Sequence, residues 1–148
     1  MAVKKIITSG SPVLRIPSYR VPKVNDKVRA LLRDMADTMY AQDGCGLAAC
    51  QVGVPLRLVV VDTGKGLIQL VNPEIVVSKG AQIIKEGCLS VPGEQGLVKR
   101  PWRVAVKAQN QWGEERYLWA QGRLAQCLCH EIDHLDGVLF TDKLIKHL

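Results

Sequence analysis

The chain has 148 residues, of which 47% are hydrophobic and 23% are charged, a composition typical of a globular protein with one core. Its longest aliphatic run, residues 58–61, is far shorter than the roughly 20 residues of a membrane-spanning helix. The formal net charge is +6, but the basic residues are dispersed without an arginine-rich run, so we expect no dedicated nucleic-acid function.

The apolar spacing predicts a helix in the first third of the chain, followed by short strands. Asn25 is placed to cap a helix that continues to about Tyr40. The apolar positions of this helix are Val28, Leu31, Leu32, Met35 and Met39. Runs of β-type residues then predict strands over 56–62, 67–71, 74–78 and 81–85, and residues 91–93 predict a break in regular structure.

The second half of the chain predicts a hairpin and then one late helix. Strands over 103–108 and 115–120 flank the turn-type residues 110–113, and the helix runs from about Gly122 to Leu135, with Gly137 where it would stop. After Asp142 the sequence predicts a short tail, in which His147 is unconstrained. Strands followed by a late helix predict an α+β fold, with β-sheets packed around this central helix and with an N-terminal helix.

The late helix carries the most informative motif, His130-Glu131-Ile132-Asp133-His134. Two histidines four residues apart lie on one face of a helix, where both imidazoles reach a single divalent metal. Glu131 then stands beside the metal as a general acid or base. Five residues alone are only moderately specific, because histidines on helices are more often surface or core residues than ligands.

A catalytic metal site usually takes three protein ligands, so the two histidines need a partner. The extended pattern HExxHxxGxxH places its last ligand at Phe140, which cannot bind a metal. We therefore expect the third ligand upstream, where Cys88 follows an apolar β-type stretch beside a glycine. The spacing leaves two interpretations of Cys88 equally open: a thiolate ligand, or a buried structural cysteine.

Three segments together resemble the peptide deformylases. The family motifs GxGLAxxQ, EGCxS and HExxH stand here, in that order, as Gly44 to Gln51, Glu86 to Ser90, and His130 to His134. Each motif alone is weak to moderate, whereas three in order at compatible spacing are strong. The likeness extends over roughly residues 10 to 142, and we expect a single catalytic domain over residues 1–148.

The resemblance implies a metal-dependent hydrolase that removes the formyl group from N-formylmethionine at the start of new polypeptides and releases formate. Cys88, His130 and His134 would hold one divalent metal, and Glu131 would accept a proton from water and pass it to the leaving amine. The family implies Fe²⁺ in the cell, with Zn²⁺, Ni²⁺ or Co²⁺ as replacements. Ligand identity does not decide among these metals.

The resemblance also assigns the groups that contact the substrate. The side-chain amide of Gln51 and the backbone N–H of Leu89 would stabilise the oxyanion. Backbone groups of Gly46 and Gly87 would pair with the extended peptide. By position, the methionine pocket involves Ile84, Cys45 and Cys127. Gln126 and Arg123 are more polar than such a pocket suggests and belong either to its rim or to the solvent face of the helix.

The cysteines and the charge bear on compartment and partners. Five cysteines are an odd number, which argues against a secreted disulfide framework, and no signal peptide is visible, so we expect a cytoplasmic protein. Cys45, Cys50 and Cys127 are expected to be small packing residues near the site. We expect a monomer that acts on formylated nascent peptides, with transient ribosome association as a further expectation and no membrane contact.

Two alternatives remain open on the sequence alone. The HExxH motif also occurs in endopeptidases, which the missing downstream ligand and Cys88 disfavour. A non-catalytic metal-binding or ribosome-associated module is disfavoured because all the proposed catalytic residues are present. One further hypothesis concerns Arg100, which is expected either to pair with Glu86 or to be exposed.

Overall fold

The computed structural model describes residues 2–148, which form two α-helices and eight β-strands. The helices are α1 (Asp26–Ala41) and α2 (Arg123–Leu135). The strands are β1 (Gly46–Ala48), β2 (Leu58–Val61), β3 (Ile68–Lys79), β4 (Gln82–Cys88), β5 (Val91–Arg100), β6 (Arg103–Gln109), β7 (Glu115–Gln121) and β8 (Leu144–His147). The predicted α+β class is confirmed.

The strands make two antiparallel sheets. One has five strands in the order β1-β2-β3-β6-β7, and the other has three in the order β4-β5-β8. The predicted hairpin corresponds to β6 and β7, which pair from Arg103 opposite Gln121 to Gln109 opposite Glu115. Helix α2 packs against β1, β2 and β7 of the larger sheet and against β5 of the smaller one, so its residues are close to both sheets.

Helix α1 begins as the sequence predicts. The Asn25 side chain accepts a hydrogen bond from the backbone N–H of Val28 at 3.0 Å, which satisfies one of the free donors of the first turn. The buried face comprises Val28, Leu32, Met35 and Met39, and Leu31 is half-buried beside it. This face packs on β1 and β2 and forms one of the hydrophobic clusters.

Helix α2 is buried over most of its length, from Ala125 to Leu135. It follows Gly122, which has a φ of 62°, and it ends at Leu135. Gly137 has a φ of 76°, and a Cβ there would stand 2.6 Å from the carbonyl oxygen of Arg15. Only glycine tolerates both the left-handed backbone and this close approach. The predicted helix end is therefore confirmed.

Two predictions about strands were wrong. Residues 67–71 and 74–78 belong to one strand, β3, which passes through Asn72 at a φ of 52° and shifts register there. The strand continues because asparagine tolerates positive φ and because the Asn72 amide bonds both the N–H and the C=O of Val21. Residues 91–93 do not break the structure but begin β5, where Pro92 and Gly93 are exposed and Gly93 has a φ of 80°.

The prediction of a short, unconstrained tail at the end of the sequence was also wrong. Residues Leu144–His147 form β8, which pairs with β5, and the His147 ring lies 3.3 Å from a carboxylate oxygen of Glu94. Just before this strand, the carboxylate of Asp142 accepts hydrogen bonds from the Arg15 guanidinium. These partners lie far away along the chain, so a local pattern does not reveal them.

Within residues 2–148, neither α1 nor α2 combines the length and the hydropathy that a membrane-crossing helix requires.

Candidate active site

The end of β4 meets the buried face of α2 at a cluster of three side chains. Cys88 contributes a thiol from the strand end, and His130 and His134 contribute imidazoles from successive turns of the helix. The Cys88 Sγ lies 3.3 Å from Nε2 of His134, and one ligand atom from each residue lies within 4.8 Å of the others. One soft and two borderline donors at this spacing suit a transition metal such as zinc or iron.

The two histidines differ in their surroundings. Burial lowers the pKa of His134 to about 3, so this imidazole is neutral and has a lone pair to offer a metal. Burial acts in the same direction on His130, but the charge of Glu131 and the hydrogen bonds with Cys88 and Glu86 outweigh it and raise the pKa of His130. The cluster therefore favours a positive charge, which a bound cation supplies as well as a proton does.

Glu86 orients His130. A carboxylate oxygen of Glu86 lies 2.7 Å from Nδ1 of His130, which leaves Nε2 directed towards the other two ligand atoms. Burial raises the pKa of Glu86, but the bonds from Arg100 and His130 prevail and hold it at about 2. Sequence reasoning assigned Glu86 no contact with the histidine, because the two residues are 44 positions apart.

Arg100 completes a buried ionic network behind the histidines. Its guanidinium donates to both carboxylate oxygens of Glu86, at 2.7 and 2.9 Å, and to Asp133 at 2.6 Å. Arg100 is only 2% exposed, which confirms the predicted pairing and excludes the exposed alternative. Asp133, on the side of α2 away from the ligands, also accepts from Lys143 at 3.0 Å.

Glu131 lies on the cleft side of α2 and is 4% exposed. One carboxylate oxygen is 4.0 Å from Nε2 of His130, and the other has no hydrogen-bond partner among residues 2–148. Burial raises the pKa of Glu131 to about 7. A carboxyl group with a pKa near neutrality can both take and return a proton, which is what a general acid/base requires.

Gln51 is fixed by bonds at both ends of its amide. Its carbonyl oxygen accepts from the backbone N–H of Ala48 at 2.9 Å, and its NH₂ group donates to Ser90 Oγ at 3.1 Å. The same nitrogen lies 3.7 Å from the Cys88 sulfur. The donor end of the amide is therefore held beside the ligand cluster. Ser90 is a second residue that sequence reasoning missed, although it stands in the EGCxS segment.

A cleft of about 590 Å³ opens over this cluster. Its lining contains the residues predicted to contact substrate, Cys45, Gly46, Gly87, Leu89 and Cys127, together with Gln51, Cys88, His130 and Glu131. Ile84 is half-buried on β4 and is absent from the lining that the cleft shows, so its contact with substrate stays a prediction. The polar residues Arg123 and Gln126 both line the cleft; Arg123 is exposed and Gln126 is buried.

Gly46 and two cysteines form the wall of the cleft beside Glu131. A Cβ at position 46 would stand 2.6 Å from the Glu131 Oε2 and 3.0 Å from the Cys127 sulfur, so only glycine fits there. The sulfur atoms of Cys45 and Cys127 are 3.3 Å apart, and the Cys127 thiol also donates to the Cys45 carbonyl at 3.4 Å. Cys50 is fully buried, as expected of a packing residue.

The site combines a cysteine at a strand end with two histidines on a buried helix, beside a carboxyl group whose pKa is near neutrality and an amide donor. This combination defines the class of metal-dependent hydrolases. The comparisons narrow the class. A family model for polypeptide deformylases matches residues 3–147 of this chain. The chain belongs to the peptide deformylase family.

Individual relatives agree over nearly the full length. A peptide deformylase of Acetivibrio thermocellus is 54% identical over 148 residues, which are all of this chain and 87% of the relative. One of Caldanaerobacter subterraneus is 51% identical, with all of this chain and 93% of the relative covered. Among solved structures, the peptide deformylase of Ehrlichia chaffeensis in complex with actinonin superposes with a TM-score of 0.95 at 42% identity, covering 97% of this chain and 90% of that one.

Proposed function

We propose that this chain removes the formyl group from N-formylmethionine at the N-terminus of newly made polypeptides and releases formate. The chain is an enzyme of the peptide deformylase family, and its relatives cover it from end to end. The observation that carries the proposal is the cluster of Cys88, His130 and His134, of which Cys88 and His130 line a cleft together with Glu131 and Gln51.

The metal would be held by Cys88, His130 and His134, which makes α2 the central metal-bearing helix of the fold. The donor set fits, because His134 is neutral, His130 is oriented by Glu86, and the surrounding carboxylates favour a positive charge. When bound, a divalent cation polarises a carbonyl group and lowers the pKa of water towards neutrality. We propose Fe²⁺ as the cellular metal, with Zn²⁺, Ni²⁺ or Co²⁺ as replacements.

Glu131 would perform the proton transfers. Its carboxylate takes a proton from the water that attacks the formyl carbon, and the resulting carboxylic acid gives that proton to the nitrogen of the leaving amine. The raised pKa of Glu131 suits both steps, since each direction of transfer is then nearly balanced at neutral pH. General acid/base groups of this kind typically contribute roughly 10²- to 10⁴-fold to the rate.

Gln51 and Leu89 would stabilise the oxyanion that forms at the formyl carbon. The Gln51 amide is already fixed by Ala48 and Ser90, so no reorganisation is needed when charge develops. The Leu89 N–H follows directly after the ligand Cys88 in the lining of the cleft. Removal of one such donor typically costs roughly 3 to 4 kcal/mol of transition-state stabilisation.

The substrate peptide would lie extended between Gly46 of β1 and Gly87 of β4, pairing with their backbone groups as an added strand. Gly87 is exposed in the cleft, and a Cβ there would meet nothing closer than 3.6 Å. The methionine side chain would face Cys45, Cys127 and Ile84. We further propose that the chain is one catalytic domain, acts as a cytoplasmic monomer, and associates only transiently with the ribosome.

Formate release from a short formyl-Met peptide tests the proposal directly. The protein is purified anaerobically and loaded with Fe²⁺ or Ni²⁺, and metal content is measured on the same sample. We expect formate release that depends on metal, and no new free amine from the matched acetyl-Met peptide. Absence of formate at full metal occupancy would overturn the proposal, and cleavage of casein would favour the endopeptidase alternative.

A further inference from the structure

Cys45 and Cys127 stand on different elements but share one wall of the cleft. Cys45 directly precedes β1, and Cys127 lies on the second turn of α2. Their sulfur atoms are 3.3 Å apart. Neither residue belongs to the ligand cluster of Cys88, His130 and His134. Both side chains line the proposed methionine pocket, but neither thiol takes part in the proposed proton transfer or oxyanion stabilisation, so these roles do not explain the close approach of the two sulfurs.

We propose that Cys45 and Cys127 form a disulfide when the enzyme meets a peroxide, and that this bond reversibly closes the substrate cleft. The sulfurs need to approach by only about 1.2 Å to reach bonding distance, because a disulfide is about 2.05 Å long. Cys45 is half-buried and lines the cleft, so a small oxidant has a path to it.

The surroundings favour Cys45 as the thiol that reacts first. The hydrogen bond with Cys127 lowers the pKa of Cys45, and the nearby positive charge of Arg123 acts in the same direction, whereas burial opposes both. The thiolate is the reactive form of cysteine. Cys127 is buried, and its pKa is raised by the hydrogen bond with Cys45 and by burial, so it stays a thiol until its partner is oxidised.

The chemistry balances with hydrogen peroxide as the oxidant. The Cys45 thiolate attacks one peroxide oxygen, the O–O bond breaks, and Cys45 becomes a sulfenic acid with release of hydroxide, which takes up the proton that the Cys45 thiol lost and becomes water. Cys127 then loses its proton, and its sulfur attacks the Cys45 sulfur and displaces the hydroxyl group as a second water. In total, two thiols and one peroxide give one disulfide and two waters, and the sulfurs lose two electrons to oxygen.

The new bond would change the substrate site through Gly46. This glycine has Glu131 and Cys127 against its open side, with no room for a Cβ. Drawing residue 45 towards α2 moves Gly46 and narrows the space beside Glu131. A misplacement of about 1 Å in the reacting geometry can cost about 100-fold in rate. This kinetic consequence rests on the proposed deformylase function, whereas formation of the disulfide does not.

Peptide mapping tests the disulfide independently of activity. The full chain is loaded with zinc, which has no redox chemistry, then treated with hydrogen peroxide, alkylated and digested with trypsin. The expected product joins peptides 34–57 and 124–143 and is lighter by about 2 Da than their sum. These peptides also contain Cys50 and Cys129, so the double variant Cys50→Ala/Cys129→Ala is the control that must still form the link.

Cys45→Ser and Cys127→Ser should each abolish the link. Absence of the link in the oxidised wild-type chain, or its persistence in Cys45→Ser, would overturn the assignment. The deformylase rate of each oxidised protein is then compared with the rate of the same protein in its reduced form. We expect oxidation to lower kcat/KM of the wild type and of the Cys50→Ala variant by about tenfold or more, with recovery after dithiothreitol.

The two serine variants should change by less than about twofold on oxidation, because no disulfide forms between residues 45 and 127. A disulfide that forms without any change of rate would overturn the proposed closure of the cleft. A chain that forms the disulfide but shows no deformylase activity in its reduced form would contradict the proposed function, and would leave the redox site established.

Discussion

The two sides of α2 are built on opposite principles. Behind the histidines, Glu86, Arg100 and Asp133 form a buried network in which each charge has a partner at 2.6 to 2.9 Å. On the cleft side, Glu131 is equally buried but has an oxygen without a partner in residues 2–148. Under the proposed function, the satisfied side would hold the ligands in place, while the unsatisfied side would leave Glu131 available for substrate and proton transfer.

Replacing Glu131, the proposed acid/base group, should give the largest effect on kcat. This effect should be confined to the cleft side of α2. Glu131→Ala removes the carboxylate that we propose moves the proton, so we expect kcat to fall by roughly 10²- to 10⁴-fold. Metal content should stay near that of the wild type, because Glu131 is not a ligand. Formate release and metal analysis on one sample check both expectations. Retained turnover at full metal content would contradict the proposed mechanism.

A substitution that disrupts the ionic network behind the histidines should lower the free energy of unfolding more than it lowers the reaction rate. Arg100→Met leaves Glu86 and Asp133 without their shared partner, and Glu86 is 2% exposed. Losing one member of a buried ionic network typically costs about 3 to 5 kcal/mol of unfolding free energy. Urea unfolding of the two proteins measures the difference.

Lys143→Met is the matched control for Arg100→Met. Lys143 also bonds Asp133, but its side chain is 45% exposed. An exposed ion pair typically contributes less than about 1 kcal/mol. If the two substitutions lowered the unfolding free energy equally, the contrast between a buried network and its exposed edge would be wrong.

Adding a methyl group at Gly46 tests whether the cleft side of α2 needs the space beside Glu131. Gly46→Ala places a Cβ 2.6 Å from the Glu131 carboxylate, so that side chain must move. We expect kcat/KM to fall by roughly 10- to 100-fold. Gly87→Ala is the comparison variant, since its Cβ meets only an ordinary contact at 3.6 Å, and its loss should be smaller. A larger loss in Gly87→Ala would contradict the steric argument.

The smallest effect is expected at the surface pair of Arg15 and Asp142. The bond from Arg15 lowers the pKa of Asp142 below its ordinary value of 3.8. The pair therefore stabilises the fold above that value and loses its effect as pH falls through the lowered pKa. Asp142→Asn should cost less than about 1 kcal/mol at neutral pH, because both side chains are well exposed.

Urea unfolding at neutral pH and again at a pH below the ordinary value measures this pair. The wild type and Asp142→Asn should converge in acid. A difference that grew as the pH fell would contradict the sign of the linkage.

The sequence predicted what depends on neighbours along the chain. Asn25 revealed the start of α1, and the HExxH spacing placed His130 and His134 on one helix face. What it missed depends on pairing across the chain. The strand β8 exists because Gly96 pairs with His147, and no local pattern carries that information. The hydrogen bond that Glu86 accepts from His130 and the contact of Cys45 with Cys127 were missed for the same reason.

The strand β8 has a consequence for access to the cleft. Leu148 follows β8 directly, donates its backbone N–H to Gln95 at 2.9 Å, and lines the cleft. A larger side chain at position 148 would therefore stand at the edge of the cleft in which we propose that the peptide binds. Comparing the KM of Leu148→Trp with that of Leu148→Ala would show how strongly this position limits access to the cleft.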